Sequence, residues 1–152
     1  MTVAVGQKVP AFTVTTDEGT RTLSDFAGKT LVLYFYPKDD TSGCTTEAKQ
    51  FRDAIESFRQ AGAEIVGVSK DSVASHQKFR AKHDLPFPLV SDQDGQLCDL
   101  FGVWKQKSMY GRTYMGIERS TFLITPDGTL AAEWRKVKVT GHADQVLKQI
   151  GG

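Results

Sequence analysis

Apolar and polar positions fall in blocks along this chain, and the blocks read in turn as strands and helices. Thr30-Leu31-Val32-Leu33-Tyr34-Phe35-Tyr36 is an unbroken apolar and aromatic run, the pattern of a strand covered on both faces. Pro37 ends it. A polar loop follows. From near Cys44 the apolar positions Ala48, Phe51, Ile55 and Phe58 recur at spacings of 3, 4 and 3, which is one face of a helix that Gly62 stops. Ile65-Val66-Gly67-Val68-Ser69 predicts a second buried strand. Asp71 or Ser72 caps a helix reaching about His83, with Val73 and Phe79 facing inward and Pro86 beyond its end. Further on come a short strand at Pro88–Ser91, a short helix at Asp94–Phe101 and a strand at Ser120–Ile124. Leu130–Val137 returns as its partner across the turn Pro126-Asp127-Gly128, and His142–Ile150 reads as a final helix. Near the start, Phe12–Thr15 and Thr20–Leu23 flank Asp17-Glu18-Gly19, a small hairpin. Val103–Gly116 shows no clear period and reads as an ordered, irregular surface segment. Strand–helix–strand units with one late hairpin predict an α/β fold: a mixed central sheet flanked by helices, with an N-terminal hairpin.

The length of 152 residues suits a single domain, residues 1–152. With 19 basic and 18 acidic side chains the formal net charge is +1. The overall field therefore gives no reason to expect nucleic acid or an anionic membrane as a partner. The basic residues near Tyr110 and Trp134 read as a solvated edge. No apolar run approaches ~18 residues, so no membrane span is expected. Met1–Gly6 has no basic segment ahead of an apolar stretch, so no signal peptide is expected and a cytoplasmic location is the default. Two cysteines are too few for a disulfide scaffold. His76 and His83 lie seven apart on one predicted helix, roughly 10.5 Å along its axis. With no C-x-x-C and no H-E-x-x-H, neither a metal nor a cofactor is expected, and a dithiol reductase is disfavoured.

The candidate chemistry lies where the first long strand ends, in Tyr36-Pro37-Lys38-Asp39-Asp40-Thr41-Ser42-Gly43-Cys44-Thr45-Thr46-Glu47. This order sets one thiol at or just inside the N-terminus of a helix leaving a buried strand. Backbone N–H groups there lack intrahelical partners, and the helix dipole adds partial positive charge. Both favour a thiolate. Gly43 permits close approach of a small ligand, the Thr41 hydroxyl is in reach of the sulfur or an oxygen bound to it, and Pro37 fixes the loop entry. The alternative is a buried spectator thiol.

Pro37, Thr41 and Cys44 fit the P-x-x-x-T-x-x-C signature of peroxiredoxins, and Thr41-Ser42-Gly43-Cys44-Thr45-Thr46-Glu47-Ala48 resembles the T-P-G-C-T-x-E segment of the Q type, the bacterioferritin comigratory proteins. The resemblance extends over Gly6-Pro10-Phe12, Phe87–Asp92, Glu118–Phe122 and Val137–Val146. It implies a thioredoxin-like fold and thiol-dependent reduction of hydrogen peroxide or organic hydroperoxides. Cys44 would be the peroxidatic nucleophile, and Arg119 would hold the thiolate and the peroxide. Thr41 with the N–H groups of Gly43 and Cys44 would complete the cradle, and Glu47 would pair with Arg119 and orient it. An acidic residue early in a helix is also common for dipole reasons alone. The implied partners are a peroxide and a thiol reductant, thioredoxin or glutathione/glutaredoxin, and a monomer is implied more often than a dimer.

Three positions depart from the family. Ser42 stands where Pro is usual. The sites where relatives carry a resolving cysteine match Lys49 and Arg80. The only other thiol, Cys98, lies among apolar neighbours and reads either as a small core residue or as a resolving thiol, which needs Cα atoms within about 7 Å or local unfolding. The expectation is a one-cysteine cycle resolved by an external thiol. The alternatives are a two-cysteine cycle through Cys98, or a non-enzymatic thioredoxin-fold module that senses redox state or binds a partner.

Overall fold

In the computed structural model, residues 3–151 are described. Met1, Thr2 and Gly152, which include both ends of the expected domain and the start of the segment Met1–Gly6, lie outside the described residues. The hairpin comes first along the chain, from β1 (Thr13–Thr16) and β2 (Gly19–Thr22), turning at Gly19 with φ 110°. Then follow β3 (Thr30–Phe35), α1 (Ser42–Asp53), α2 (Ile55–Gln60), β4 (Ala63–Ser69), α3 (Val73–His83), β5 (Leu89–Ser91) and α4 (Gln96–Phe101). A second hairpin, β6 (Trp104–Met109) and β7 (Arg112–Ile117), precedes β8 (Ser120–Ile124), β9 (Leu130–Trp134) and α5 (His142–Gly151).

Seven strands form one mixed sheet in the order β2-β1-β5-β4-β3-β8-β9. β3, β4 and β5 run parallel, and β8 lies antiparallel to β3. The unbroken apolar run of β3 follows from its central place. Leu31, Leu33 and Phe35 belong to one apolar cluster, whereas Val32, Tyr34 and Tyr36 belong to the other. The first cluster takes in Leu97 and Phe101 of α4. The second takes in Ala48, Phe51, Phe58, Phe79 and Val146, from α1, α2, α3 and α5. Each face of the sheet thus has its own cover. Among the described residues, no helix is long and apolar enough to cross a membrane.

Gly67 in β4 is required by this packing. A Cβ there would stand 2.8 Å from Leu89 Cδ2 and 2.9 Å from Tyr34 Cζ. Gly67→Ala is expected to cost roughly 1–3 kcal/mol through overpacking. Urea denaturation checks this, and an unchanged midpoint would show that the two side chains yield freely.

Three expectations are corrected. The helix expected to run unbroken past Phe58 divides at Ala54 (φ −96°, ψ 4°). The apolar stripe survives the bend, so spacing alone did not show it. The segment Val103–Gly116 is not irregular but the β6–β7 hairpin, turning through Tyr110 (φ 53°) and Gly111 (φ 75°). Most of its side chains are exposed on both faces, so no apolar alternation marks it; two positive φ values fit a tight hairpin turn. Finally, the strand expected to reach Val137 ends at Trp134, because the chain turns at Lys136 (φ 50°) and Val137 N–H bonds to the Arg119 carbonyl.

Candidate active site

The loop after β3 is built to start a helix. Tyr36 N–H makes a bond to Val68, and the exposed Pro37, with no N–H, ends the ladder. Asp40 adopts φ 61°. Thr41 stays extended (φ −89°, ψ 156°) as the cap of α1, and its carbonyl accepts from Thr45 N–H at 2.8 Å. Cys44 is therefore in the first turn of α1, buried, where backbone N–H groups and the dipole present positive charge.

Arg119 arrives from a distant part of the chain. Phe35 pairs with Ser120 across β3 and β8, so the residue before β8 stands beside the loop after β3. Glu118 N–H donates to the Val103 carbonyl at 2.7 Å, and the Arg119 carbonyl accepts from Val137 at 2.9 Å. The guanidinium then divides its donors: Nη2 reaches Cys44 Sγ at 3.4 Å and Nη1 reaches Glu47 Oε1 at 2.7 Å. A Cβ on Gly43 would stand only 3.2 Å from Nη2, so glycine lets the fork lie against the first turn.

Glu47 is fully buried, and its Oε2 has no partner among the described residues. Burial pushes its carboxyl up to about 7, although Arg119 pulls the other way. Burial alone would lower the pKa of Arg119, but Glu47 and Cys44 outweigh it and the value is raised. Glu47 stands beyond the first turn of α1, so the helix dipole does not account for it; its partner is Arg119.

Cys44, Gly43, Glu47 and Arg119 thus come together. Thr41 stands at the same corner, but its hydroxyl hydrogen goes to the Lys38 carbonyl at 2.8 Å rather than toward the sulfur. Its oxygen remains an acceptor. Cys98 is elsewhere. It lies in α4, fully buried, in the apolar cluster on the opposite face of the sheet from Cys44. Burial, reinforced by Asp92, raises its thiol pKa strongly. Of the two positions that match resolving cysteines in relatives, Lys49 is exposed, and Arg80 is bound to Asp17 at 2.9 Å and Glu18 at 2.7 Å.

One cluster beside the site was missed in the sequence. Asp39, Asp71 and His76 bring their ligand-type atoms within 4.8 Å of one another. Tyr36, Ser75, Ser69 and the Asp39 N–H already bond to the two carboxylates. A signal was present: His76 is three residues from both Val73 and Phe79, on the inward face of its helix.

The AhpC/TSA family model matches residues 5–133. Peroxiredoxin Bcp of Bacillus subtilis is 54% identical over 151 residues, covering 99% of this chain and 96% of that protein. A putative peroxiredoxin bcp of Coxiella burnetii is 50% identical over 151 residues, covering 99% and 100%. Among solved structures, a cysteine-to-serine mutant of Xylella fastidiosa PrxQ matches with a TM-score of 0.93 and 44% identity, over 99% of this chain and 97% of that one. Xanthomonas campestris peroxiredoxin Q matches with a TM-score of 0.88 and 52% identity, over 92% and 89%. Likeness at this level, over nearly the full length of both partners, means that the chain belongs to the AhpC/TSA family, as a thiol-dependent peroxidase of the Q, or bacterioferritin comigratory, type with the thioredoxin-like fold.

Proposed function

We propose that Cys44 is the peroxidatic nucleophile of this peroxidase and that it works in a one-cysteine cycle. The observation that carries the first part is the convergence of Arg119 on both Cys44 Sγ and Glu47. The sulfur attacks the terminal oxygen of ROOH as a thiolate. An S–O bond forms, the O–O bond breaks, and RO⁻ leaves and is protonated to ROH. Negative charge moves from sulfur to the leaving oxygen, so the fixed guanidinium and the N–H groups of the first turn stabilise the transition state without reorganising. Thr41 accepts a hydrogen bond from the peroxide and holds it in line, while Pro37 sets the loop and Glu47 aims Arg119. Organic hydroperoxides join hydrogen peroxide as substrates in this reading; alkyl peroxide reduction is the activity named for the Xanthomonas campestris relative.

The placement of Cys98 supports the second part. The sheet stands between it and Cys44, and a disulfide needs Cα atoms within about 7 Å. Cys44 sulfenic acid is therefore reduced by an external thiol: the first thiol forms a mixed disulfide and releases water, and a second frees Cys44. Glutathione/glutaredoxin and thioredoxin are both of the right chemistry, and a reducing cytoplasm suits two unpaired cysteines. One chain supplies every residue of the cradle, so the monomer is the active unit.

Intact-mass spectrometry after one equivalent of hydrogen peroxide, with a sulfenic-acid trap, tests both parts. A trap adduct on Cys44 with Cys98 free is expected. Cys44→Ser should abolish turnover. Cys98→Ser should keep it, at a stability cost of about 1–3 kcal/mol for a hydroxyl among apolar neighbours. A Cys44–Cys98 linkage or a linked dimer would overturn the one-cysteine cycle. A folded wild type in which neither thiol reacts would overturn the nucleophile assignment.

A further inference from the structure

The loop that carries the catalytic corner is fastened to α3 by a buried polar contact that the peroxidase chemistry does not use. Asp39 and His76 are almost wholly buried, with Asp39 Oδ2 2.7 Å from His76 Nδ1. Asp39 Oδ1 accepts from the Tyr36 hydroxyl at 2.6 Å, and Oδ2 also accepts from Ser75 Oγ at 2.8 Å. The Asp39 N–H donates to Asp71 Oδ2 at 2.9 Å. On its other side, His76 Nε2 lies 2.9 Å from the Val90 carbonyl of β5. Five residues beyond Asp39 the chain reaches Cys44.

The geometry also fixes the protons. A backbone carbonyl only accepts, so Nε2 carries a hydrogen. A carboxylate oxygen and a ring nitrogen 2.7 Å apart hold one hydrogen between them. The pair therefore keeps a proton that an ordinary histidine releases near 6.5. The groups facing the ring are Asp39 from the loop, the Tyr36 hydroxyl from the end of β3, Asp71 from the turn after β4 and the Val90 carbonyl from β5. Burial opposes the charge on His76, but Asp39 outweighs it and the pKa is raised. The contact is complete below about 6.5 and is lost as pH rises through the higher folded value.

We propose that His76 is a positioning residue for the peroxidatic thiol: its contact with Asp39 pins residues 37–41, and through them the first turn of α1, against α3 so that Cys44 stays aimed at Arg119. An exposed tether reinforces it, from Asp40 to Lys82 at 2.9 Å. The inference rests on Cys44 being the nucleophile. His76→Gln keeps a single donor nitrogen in place of two on opposite sides of a ring, so it does not span from Asp39 to Val90; Asp39→Asn loses the charge.

The experiment has two arms. Without peroxide, ¹⁵N NMR of the wild type follows His76 and the backbone amides of residues 38–46 from pH 5 to 9. Both ring nitrogens should be protonated at the low end, and those amides should shift with the same midpoint as the ring. With peroxide, stopped-flow sulfenylation of Cys44 in H76Q and D39N should be roughly tenfold slower than in the wild type, and the double variant should be no slower than the slower single. A folded H76Q that reacts at the wild-type rate would overturn the proposal. So would a His76 titration that leaves the amides of residues 38–46 unmoved, which decides the matter even if both variants fail to fold. A wild-type Cys44 inert to peroxide would overturn the nucleophile reading beneath it, and the first arm distinguishes that case because it uses no peroxide.

Discussion

Replacing Arg119 by alanine is expected to slow peroxide oxidation of Cys44 by about 10²–10³-fold, the usual effect of removing one preorganised donor to developing negative charge. In the proposed mechanism Arg119 acts on both ends of the reaction. Its Nη2 contacts the sulfur that begins with the charge, and its position at the mouth of the first turn lets it meet the oxygen that ends with it. Water replacing the guanidinium would have to reorient as charge moves, whereas the arginine is held by Glu47 and by backbone bonds on both sides of residue 119. The fold should survive, because Arg119 belongs to neither apolar cluster and the buried Glu47 can take up a proton once its cation is gone. Arg119→Lys should recover only part of the rate, since one ammonium does not reproduce a fork that spans Sγ and Oε1. Stopped-flow sulfenylation at a fixed pH, with circular dichroism to show folding, decides it. A folded R119A that reacts as fast as the wild type would remove Arg119 from the mechanism.

The second large effect concerns Glu47, and it appears as a pH dependence of stability. In the folded chain this carboxyl titrates at about 7, against an ordinary value of 4.5. A group with a raised folded value binds more protons folded than unfolded. Its contribution is therefore fully present below about 4.5 and is lost as pH rises through about 7. Glu47→Gln removes the titration and keeps an oxygen for Arg119 Nη1. The stability of the wild type relative to E47Q should fall over that window, by an amount on the order of 3 kcal/mol. Urea denaturation of both proteins at pH 4.5, 6 and 7.5 measures this. Parallel curves would mean that Glu47 stays ionised throughout. The same variant should also react more slowly with peroxide at pH 7.5 if, as proposed, the Glu47 charge aims Arg119.

Much of this was legible in the residues before any coordinates. An unbroken run such as 30–36 has few structural outcomes, since seven residues rich in β-branched and aromatic side chains and closed by Pro37 suit a strand covered on both faces better than a buried helix. The spacing of Ala48, Phe51, Ile55 and Phe58 gave a helix face, and a cysteine at the head of that helix is a local arrangement that needs no distant residue. The peroxiredoxin resemblance added Arg119, which local chemistry alone would have left as an ordinary surface arginine. The β6–β7 hairpin escaped because strands wet on both faces carry no alternation to read, and the bend at Ala54 escaped because both helices keep one stripe.

The remaining features depend on what folding brings together. Cys98 reads first as a core residue, with a partner for Cys44 as the alternative, until the sheet is seen to stand between them. Asp39 and His76 are 37 residues apart in sequence and become a single proton-holding contact only when α3 packs beside the loop after β3. Glu47 changes from an unremarkable helical acid into a carboxyl titrating at about 7 because burial removes its water, and among the described residues Arg119 is the one cation bonded to it. The sequence by itself determined the strands of the central sheet, most of the helices and the position of the thiol, since those follow from local sterics and the period of apolar residues. Tertiary structure alone decided which charges share a buried space, because desolvation and hydrogen-bond distance are properties of the packed chain and not of neighbouring residues along it.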